Sequence, residues 1–264
     1  MIDIHVHFLH NKQETYTNDL FNELITTAVN AELEEIYILE HSFQFHEFEM
    51  IFEPIKSYNT YQKEWLSRKM NSSIERYLNF IESIKQNECP INVKFGLEVC
   101  YIPETADKLS DVLKQYRFDF LVGAIHWIDR WGFDHPKQKE TWLTTSVNES
   151  YKRYYEIMFE LCASGLFNGL AHPDSIKCFG YIPTIDLTDD YSKLANILNQ
   201  KDMYAENSGG LRLNYCSDLE LGLNKELLNV FKSNKTKILP ASDAHKVTDV
   251  GANVPELLEM IEGD

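Results

Sequence analysis

His5 and His7 stand two apart in Met1-Ile2-Asp3-Ile4-His5-Val6-His7, a short apolar stretch that reads as a buried strand. Alternate residues of a strand share a face, so both imidazoles point the same way. Two imidazoles on one side of a strand end can hold one metal ion, although such a pair carries little when taken alone. The chain repeats the placement. Of its nine histidines, His7, His41, His126, His172 and His245 each fall at or just after the C-terminal end of an expected strand, and His5 shares a face with His7. Glu98 and Asp243 occupy equivalent positions. Six imidazoles and two carboxylates exceed the needs of one ion. Such sets suit zinc, iron and manganese. A carboxylate can bridge two ions, and paired ions can clamp the attacking and leaving oxygens of a displacement.

The elements that position these groups follow from hydrophobic periodicity. Apolar runs at 2–7, 35–40, 92–100, 118–125, 169–171, 203–206 and 237–241 read as seven strands. Between them lie amphipathic segments with apolar residues on one helical face, such as Leu20, Leu24, Ile25 and Ala28, or Ile74, Tyr77, Leu78, Ile81 and Ile84. Thr17 or Asn18 is placed to cap the first helix, and Asn148 a helix over 150–164. Further helices are expected near 189–201, 225–231 and 254–261. Residues 43–65 form an aromatic and charged insertion, and Trp127, Trp131, Asp134, His135 and Trp142 a tryptophan-rich loop. Strands alternating with helices pair in parallel through long crossovers. Polar residues at nearly every strand's C-terminal end favour an α/β barrel, where all strand ends ring one mouth. An open doubly wound sheet would gather them at one switch point.

Composition narrows the function. The 264 residues, 44% hydrophobic and 25% charged, read as one domain over 1–264 without repeats or linkers. A net charge of −16 disfavours nucleic acid and anionic membrane as partners. It leaves room for a small phosphorylated substrate, whose charge bound metal can offset. Five scattered cysteines without a Cys-x-x-Cys motif read as reduced. No leader-like segment opens the sequence and no apolar run approaches the roughly 20 residues of a membrane span, so a cytoplasmic protein is expected. Oligomeric state is not readable. Rival phosphatase chemistries lack their residues: no cysteine has an arginine six positions on, no aspartates stand as Asp-x-Asp, and no Gly-x-x-x-x-Gly-Lys loop occurs.

The segments Asp3-x-His5-x-His7, Glu40-His41-Ser42, Gly96-Leu97-Glu98, Gly123-Ala124-Ile125-His126, Ala171-His172-Pro173 and Ser242-Asp243-Ala244-His245 occur in that order over almost the whole chain. On them the sequence resembles the PHP (polymerase and histidinol phosphatase) family of metallophosphoesterases. Trp131-x-x-Asp134-His135, Ser164-Gly165-Leu166-Phe167 and Asn207…Gly210-Leu211-Arg212 add a resemblance to its stand-alone histidinol-phosphatase branch. The resemblance implies a distorted (β/α)7 barrel with two to three divalent metal ions at the C-terminal strand ends. It also implies hydrolysis of L-histidinol phosphate in histidine biosynthesis. Carried over by motif, His5, His7, Glu98 and Asp243 would hold one ion. Glu98 would bridge to a second, completed by His126 and His172. His41 and His245 would hold a third with one more histidine from the loop after the first strand. That loop offers His10, three residues past His7 and nearer than the family pattern has it. Either His10 substitutes through a shifted loop, or the third site is incomplete.

Roles beyond the metal ligands follow from charge. Arg212 is a candidate to hold a phosphate oxygen in bidentate fashion, against an ordinary surface ion pair. Asp243 or His245 is placed to relay the proton that the leaving alkoxide needs. Asp134 or His135 is a candidate to meet the imidazole or amine of a histidinol-like group. Trp127, Trp131 and Trp142 read equally as loop packing or a substrate wall, and His46 as a surface residue. Two other readings stand beside this one: a family member acting on another small phosphoester, and a metal-dependent amidohydrolase, which also opens with His-x-His in an α/β barrel. A polymerase-attached exonuclease is disfavoured by chain length and net charge, and a non-catalytic barrel by the near-complete ligand set.

Overall fold

The computed structural model describes residues 1–8, 16–215 and 218–263. His10, the candidate third-site ligand, lies outside the described residues. In chain order the elements are β1 (Ile2–His7), α1 (Asn18–Asn30), β2 (Glu35–His41), α2 (Glu53–Lys56), α3 (Thr60–Lys69), α4 (Ile74–Lys85), β3 (Asn92–Cys100), α5 (Ala106–Leu113) and β4 (Phe120–Ala124). Then come a hairpin of β5 (Trp127–Ile128) and β6 (Trp131–Gly132), α6 (Val147–Ala163), β7 (Gly169–Leu170), α7 (Thr188–Gln200), β8 (Tyr204–Ser208), α8 (Gly210–Asn214), α9 (Lys225–Ser233), β9 (Ile238–Ala241) and α10 (Val254–Glu262).

Seven strands form one parallel sheet in the order β1-β2-β3-β4-β7-β8-β9. It curls into a nearly closed barrel, and the expected (β/α)7 architecture is what the chain adopts. Closure falls to the segment after β9: the backbone N–H of His7 donates to Ala244 O at 2.9 Å, and Ala244 N–H to His5 O at 3.3 Å. Asp3 fastens the same seam. Its fully buried carboxylate accepts the N–H of Ser242 at 2.8 Å on Oδ1 and of Gly251 at 3.0 Å on Oδ2. The interior is filled by Ile4, Leu39, Val122, Ala171, Tyr204 and Ala241 from six strands or strand ends, as a packed core. Gly169 makes this fit possible, because a Cβ there would meet the ring of Tyr204.

The elements depart from expectation in three places. Ser146, not Asn148, caps α6; Asn148 is turned outward, where its side chain accepts Thr184 N–H at 2.9 Å. The aromatic insertion is structured, with two 3-10 turns leading into α2 and α3. The tryptophan-rich loop begins with the β5–β6 hairpin, whose turn residues Asp129 and Arg130 both have positive φ, 45° and 76°. A tight hairpin needs that backbone, and its usual signal is Asn-Gly. Here outside contacts take glycine's place: Arg153 Nε donates to Asp129 Oδ1 at 2.9 Å and Arg130 pairs with Glu104 at 2.8 Å.

The seam yields a stability prediction. Asp3→Ala strands buried N–H groups on both sides of the closure and should cost about 3 kcal/mol in urea unfolding. Glu34→Ala, at a side chain 91% exposed, should change stability by no more than about 0.5 kcal/mol.

Candidate metal centre

The sheet order brings donors from separate strands to one mouth. β1 supplies His5 and His7, β2 His41 and β3 Glu98. The segments just past β4, β7 and β9 supply His126, His172, and Asp243 with His245. Their nitrogen and oxygen atoms fall into three overlapping groups: His5 with His7 and Asp243, His41 with Glu98 and His126, and His7 with His41 and His245.

Glu98 lies at the centre and is fully buried. Its Oε1 is 2.9 Å from both His126 Nε2 and His172 Nε2. Its Oε2 faces His5 Nε2 at 3.7 Å and His7 Nε2 at 3.5 Å, and also touches His41 Nδ1. His5 Nε2 and His7 Nε2 approach each other to 3.1 Å, with Asp243 Oδ1 at 3.6 and 3.5 Å from them. His41 Nε2 and His245 Nε2 stand 3.3 Å apart.

These spacings test whether the residues fit metal ions. Donors bound tetrahedrally at zinc's usual distances stand roughly 3.4 Å from one another. Five separations among His5 Nε2, His7 Nε2, Asp243 Oδ1 and Glu98 Oε2 run from 3.1 to 3.7 Å. Glu98 Oε2 is buried and faces only imidazole nitrogens among the described residues, a costly state unless a cation faces it. The ion pairs of Glu98, Asp134 and Asp243 among the described residues are with histidines, not with lysine or arginine. The donor set fits divalent cations.

Without metal, protons hold the site together unevenly. Burial would raise Glu98, but His41, His126 and His172 hold its carboxyl well below the usual range. Burial disfavours charge on His126, yet Asp134 and Glu98 outweigh it and push the imidazolium up to about 10. His41 goes the other way: burial dominates, and its pKa falls to about 4 despite Glu98. Burial and the neighbouring His41 and His245 likewise hold His7 well below the ordinary histidine range. Several imidazoles are thus kept neutral, the form that ligates.

The ligands are aimed from outside. Asp134 Oδ2 accepts from His126 Nδ1 at 2.7 Å, leaving Nε2 for Glu98. The carboxylate expected to meet substrate therefore has one oxygen committed to a histidine; Oδ1 is buried without a hydrogen-bond donor, in a residue that lines the cavity. Gly210 starts α8 against Asp243, and a Cβ there would overlap its carboxylate.

The mouth opens into a cavity of about 1020 Å³. His135 lines it, buried, with Nδ1 3.4 Å from Tyr61 Oη and the ring edge-on to Trp65 at 4.6 Å. Arg212 is exposed on α8 and is absent from the lining, whereas its neighbours Leu211, Leu213, Asn214 and Tyr215 take part. Arg68, Lys69 and Lys246 line the cavity, and sequence reasoning did not single them out. Their signal was faint: Arg68 and Lys69 sit on α3, where basic residues are usually solvated, and Lys246 only adjoins the motif at 242–245. Trp127 lines the cavity, while Trp131 and Trp142 pack edge to face at 4.8 Å in the interior. His46 is exposed.

Glu206 is the other residue missed. It is fully buried and bonded to His5. An acidic residue at the end of the expected strand over 203–206 was the available signal.

Residues 3–210 match the family model described as PHP domain. A curated relative from Bacillus subtilis strain 168 named "Histidinol-phosphatase" is 25% identical over 214 residues, 73% of this chain and 78% of that protein. One from Deinococcus radiodurans named "Probable histidinol-phosphatase" is 28% identical over 123 residues. That match spans just under half of each chain, 46%. Among solved structures, a HisK protein of Listeria monocytogenes superposes with TM-score 0.75 at 16% identity, covering 97% of this chain and 99% of that one. Histidinol phosphate phosphatase (HisK) of Lactococcus lactis, solved with zinc, L-histidinol and phosphate, gives TM-score 0.63 at 17% identity, covering 99% and 93%. At these identities the likeness is one of fold. Among the described residues no helix is long and apolar enough to cross a membrane.

The donor geometry predicts metal-dependent stability. Zinc at a hundredfold excess over Kd should raise the unfolding midpoint of chelator-stripped protein by roughly 5–10 °C. The shift should shrink between pH 7 and pH 5, because protons compete for the imidazoles. Glu98→Gln should remove most of it. Gly210→Ala, which alters no ligand, should lower bound metal by displacing Asp243; elemental analysis of dialysed protein checks this.

Proposed function

The chain belongs to the PHP domain family, and on that premise we propose that it is a metal-dependent phosphomonoesterase hydrolysing L-histidinol phosphate to L-histidinol and phosphate. The observation that carries the reading is Glu98, buried and shared by histidines from four strands or strand ends, of which His7, His41, His126 and His172 line a cavity large enough for a small phosphoester. The names of the curated relatives and the ligands of the Lactococcus protein support the substrate class.

In this reading His5, His7, Glu98 and Asp243 hold one ion, Glu98, His126 and His172 a second, and His41 with His245 contribute to a third. Bound divalent cations supply Lewis-acid stabilisation of phosphate oxygens and lower the pKa of water. The chain's own residues do the rest. Arg68, Lys69 and Lys246 face a dianion with positive charge in a protein of net charge −16. We assign them the phosphate-attracting role first given to Arg212. Asp134 holds the His126 ring with Nε2 inward. His245, a cavity residue whose Nδ1 lies 3.0 Å from Asp243 O and 3.4 Å from Asp243 Oδ1, is the candidate to pass a proton from Nε2 to the leaving alkoxide when that nitrogen does not hold the third ion. His135, with Tyr61 and Trp65 beside it, offers an aromatic wall to the imidazole of histidinol.

Phosphate release from L-histidinol phosphate and from p-nitrophenyl phosphate, on protein reconstituted separately with zinc, manganese and iron, tests the reading. A strong preference for histidinol phosphate is expected. Equal, slow turnover of both would keep the phosphatase and overturn the substrate. No turnover of either with metal bound would favour the amidohydrolase alternative.

A further inference from the structure

Glu206 lies on β8, fully buried, and is not among the residues lining the cavity. It makes two contacts, each to a residue that bears a metal-centre imidazole. Oε1 is 2.9 Å from His5 Nδ1. Oε2 accepts the backbone N–H of His172 at 2.9 Å. His172 has φ 28°, a backbone that residues with a side chain rarely adopt. A conformation of that kind persists only where its surroundings hold it.

We propose that Glu206 is a positioning residue that fixes the ligating tautomer of His5 and the backbone of His172 at the same time. This rests on the metal-centre reading above. A carboxylate facing Nδ1 accepts, so when His5 ligates through Nε2 its one remaining proton sits on Nδ1, toward Glu206. The lone pair of Nε2 then faces inward, toward His7, Asp243 and Glu98. Outer carboxylates of this kind orient and strengthen histidine ligands. The second oxygen ties the strand end carrying His172, whose Nε2 meets Glu98. One side chain on β8 thus sets ligands on two other strands.

Glu206→Gln separates this role from simple packing. The amide keeps the shape but has one acceptor oxygen where two donors need one each. If its NH2 turns to His5, the His5 proton moves to Nε2 and blocks the ligand. If it turns to His172, two N–H groups face each other and the backbone is released. The test is competitive zinc titration of the metal-stripped full-length chain against a chromophoric chelator. Long-range 1H–15N spectra of the histidine rings and thermal unfolding of the metal-free forms accompany it. A 10–100-fold loss of affinity is expected for the ion nearest His5, with the His5 proton found on Nδ1 in the wild type and displaced in the variant. A purely structural role would lower the metal-free unfolding midpoint and leave zinc affinity and tautomer alone. Wild-type affinity with an unchanged tautomer in Glu206→Gln overturns the proposal while the wild type still binds zinc. A wild type that binds no zinc overturns the metal-centre reading and this inference with it. Should the Gln variant fail to fold, Glu206→Asp keeps the charge but is one methylene short of spanning both donors. Reduced affinity is expected there, and wild-type affinity would again overturn the proposal.

Discussion

A buried carboxylate surrounded by imidazoles governs this molecule. Glu98 has no exposed surface and is in contact with His5, His7, His41, His126 and His172. A charge in that position is costly unless cations face it. The cations on hand are protons on imidazoles, which burial opposes, or metal ions. His41 falls to about 4 while His126 rises to about 10, so neighbouring rings of one site resist sharing a single protonation state. Divalent ions resolve the conflict, since they favour neutral imidazole and ionised carboxylate together. His5, His7, Asp243 and Glu98 Oε2 accordingly stand at the spacing of tetrahedral ligands, while Glu98 Oε1 stays at hydrogen-bond distance from His126 and His172.

The barrel serves this constraint from below. Closing the sheet brings the β9 end, with Asp243 and His245, beside β1, with His5 and His7. Buried carboxylates one step back do the fastening. Asp3 ties the seam through the backbone N–H groups of Ser242 and Gly251. Asp134 turns His126, and Glu206 turns His5 while tethering His172. Two of the mouth residues, His172 and Asp243, have positive φ. Such backbone strain clusters at functional sites and needs surrounding bonds to hold it.

Legibility in the sequence followed the range of the interaction. β1 and β3 fall at the expected bounds because apolar residues recur along each of them and the donors stand at or near their C-terminal ends. The strand-end histidines were visible because period two and strand order place them without further information. The β5–β6 hairpin was not, because its positive φ values at Asp129 and Arg130 are held by Arg153 and Glu104, far along the chain. Ser146 rather than Asn148 caps α6 because Asn148 is drawn to Thr184, another distant partner. The same holds at the site. Asp134 bears the expected carboxylate, but its pairing with His126 depends on the β5–β6 hairpin between them. Glu206 gave a local hint that only the fold turned into a role. Arg212 carried a motif yet is exposed, while Arg68, just past the aromatic insertion, and Lys246, just past the motif at 242–245, line the cavity.

The central claim is that Glu98 is shared between ions at the mouth of the barrel. Anomalous diffraction from crystals of the zinc-loaded protein, collected on both sides of the zinc edge, tests it most directly. Peaks are expected among His5, His7 and Asp243 and between His126 and His172, with Glu98 joining them. Zinc bound only at surface histidines such as His46, with Glu98 reached by protons alone, would contradict it.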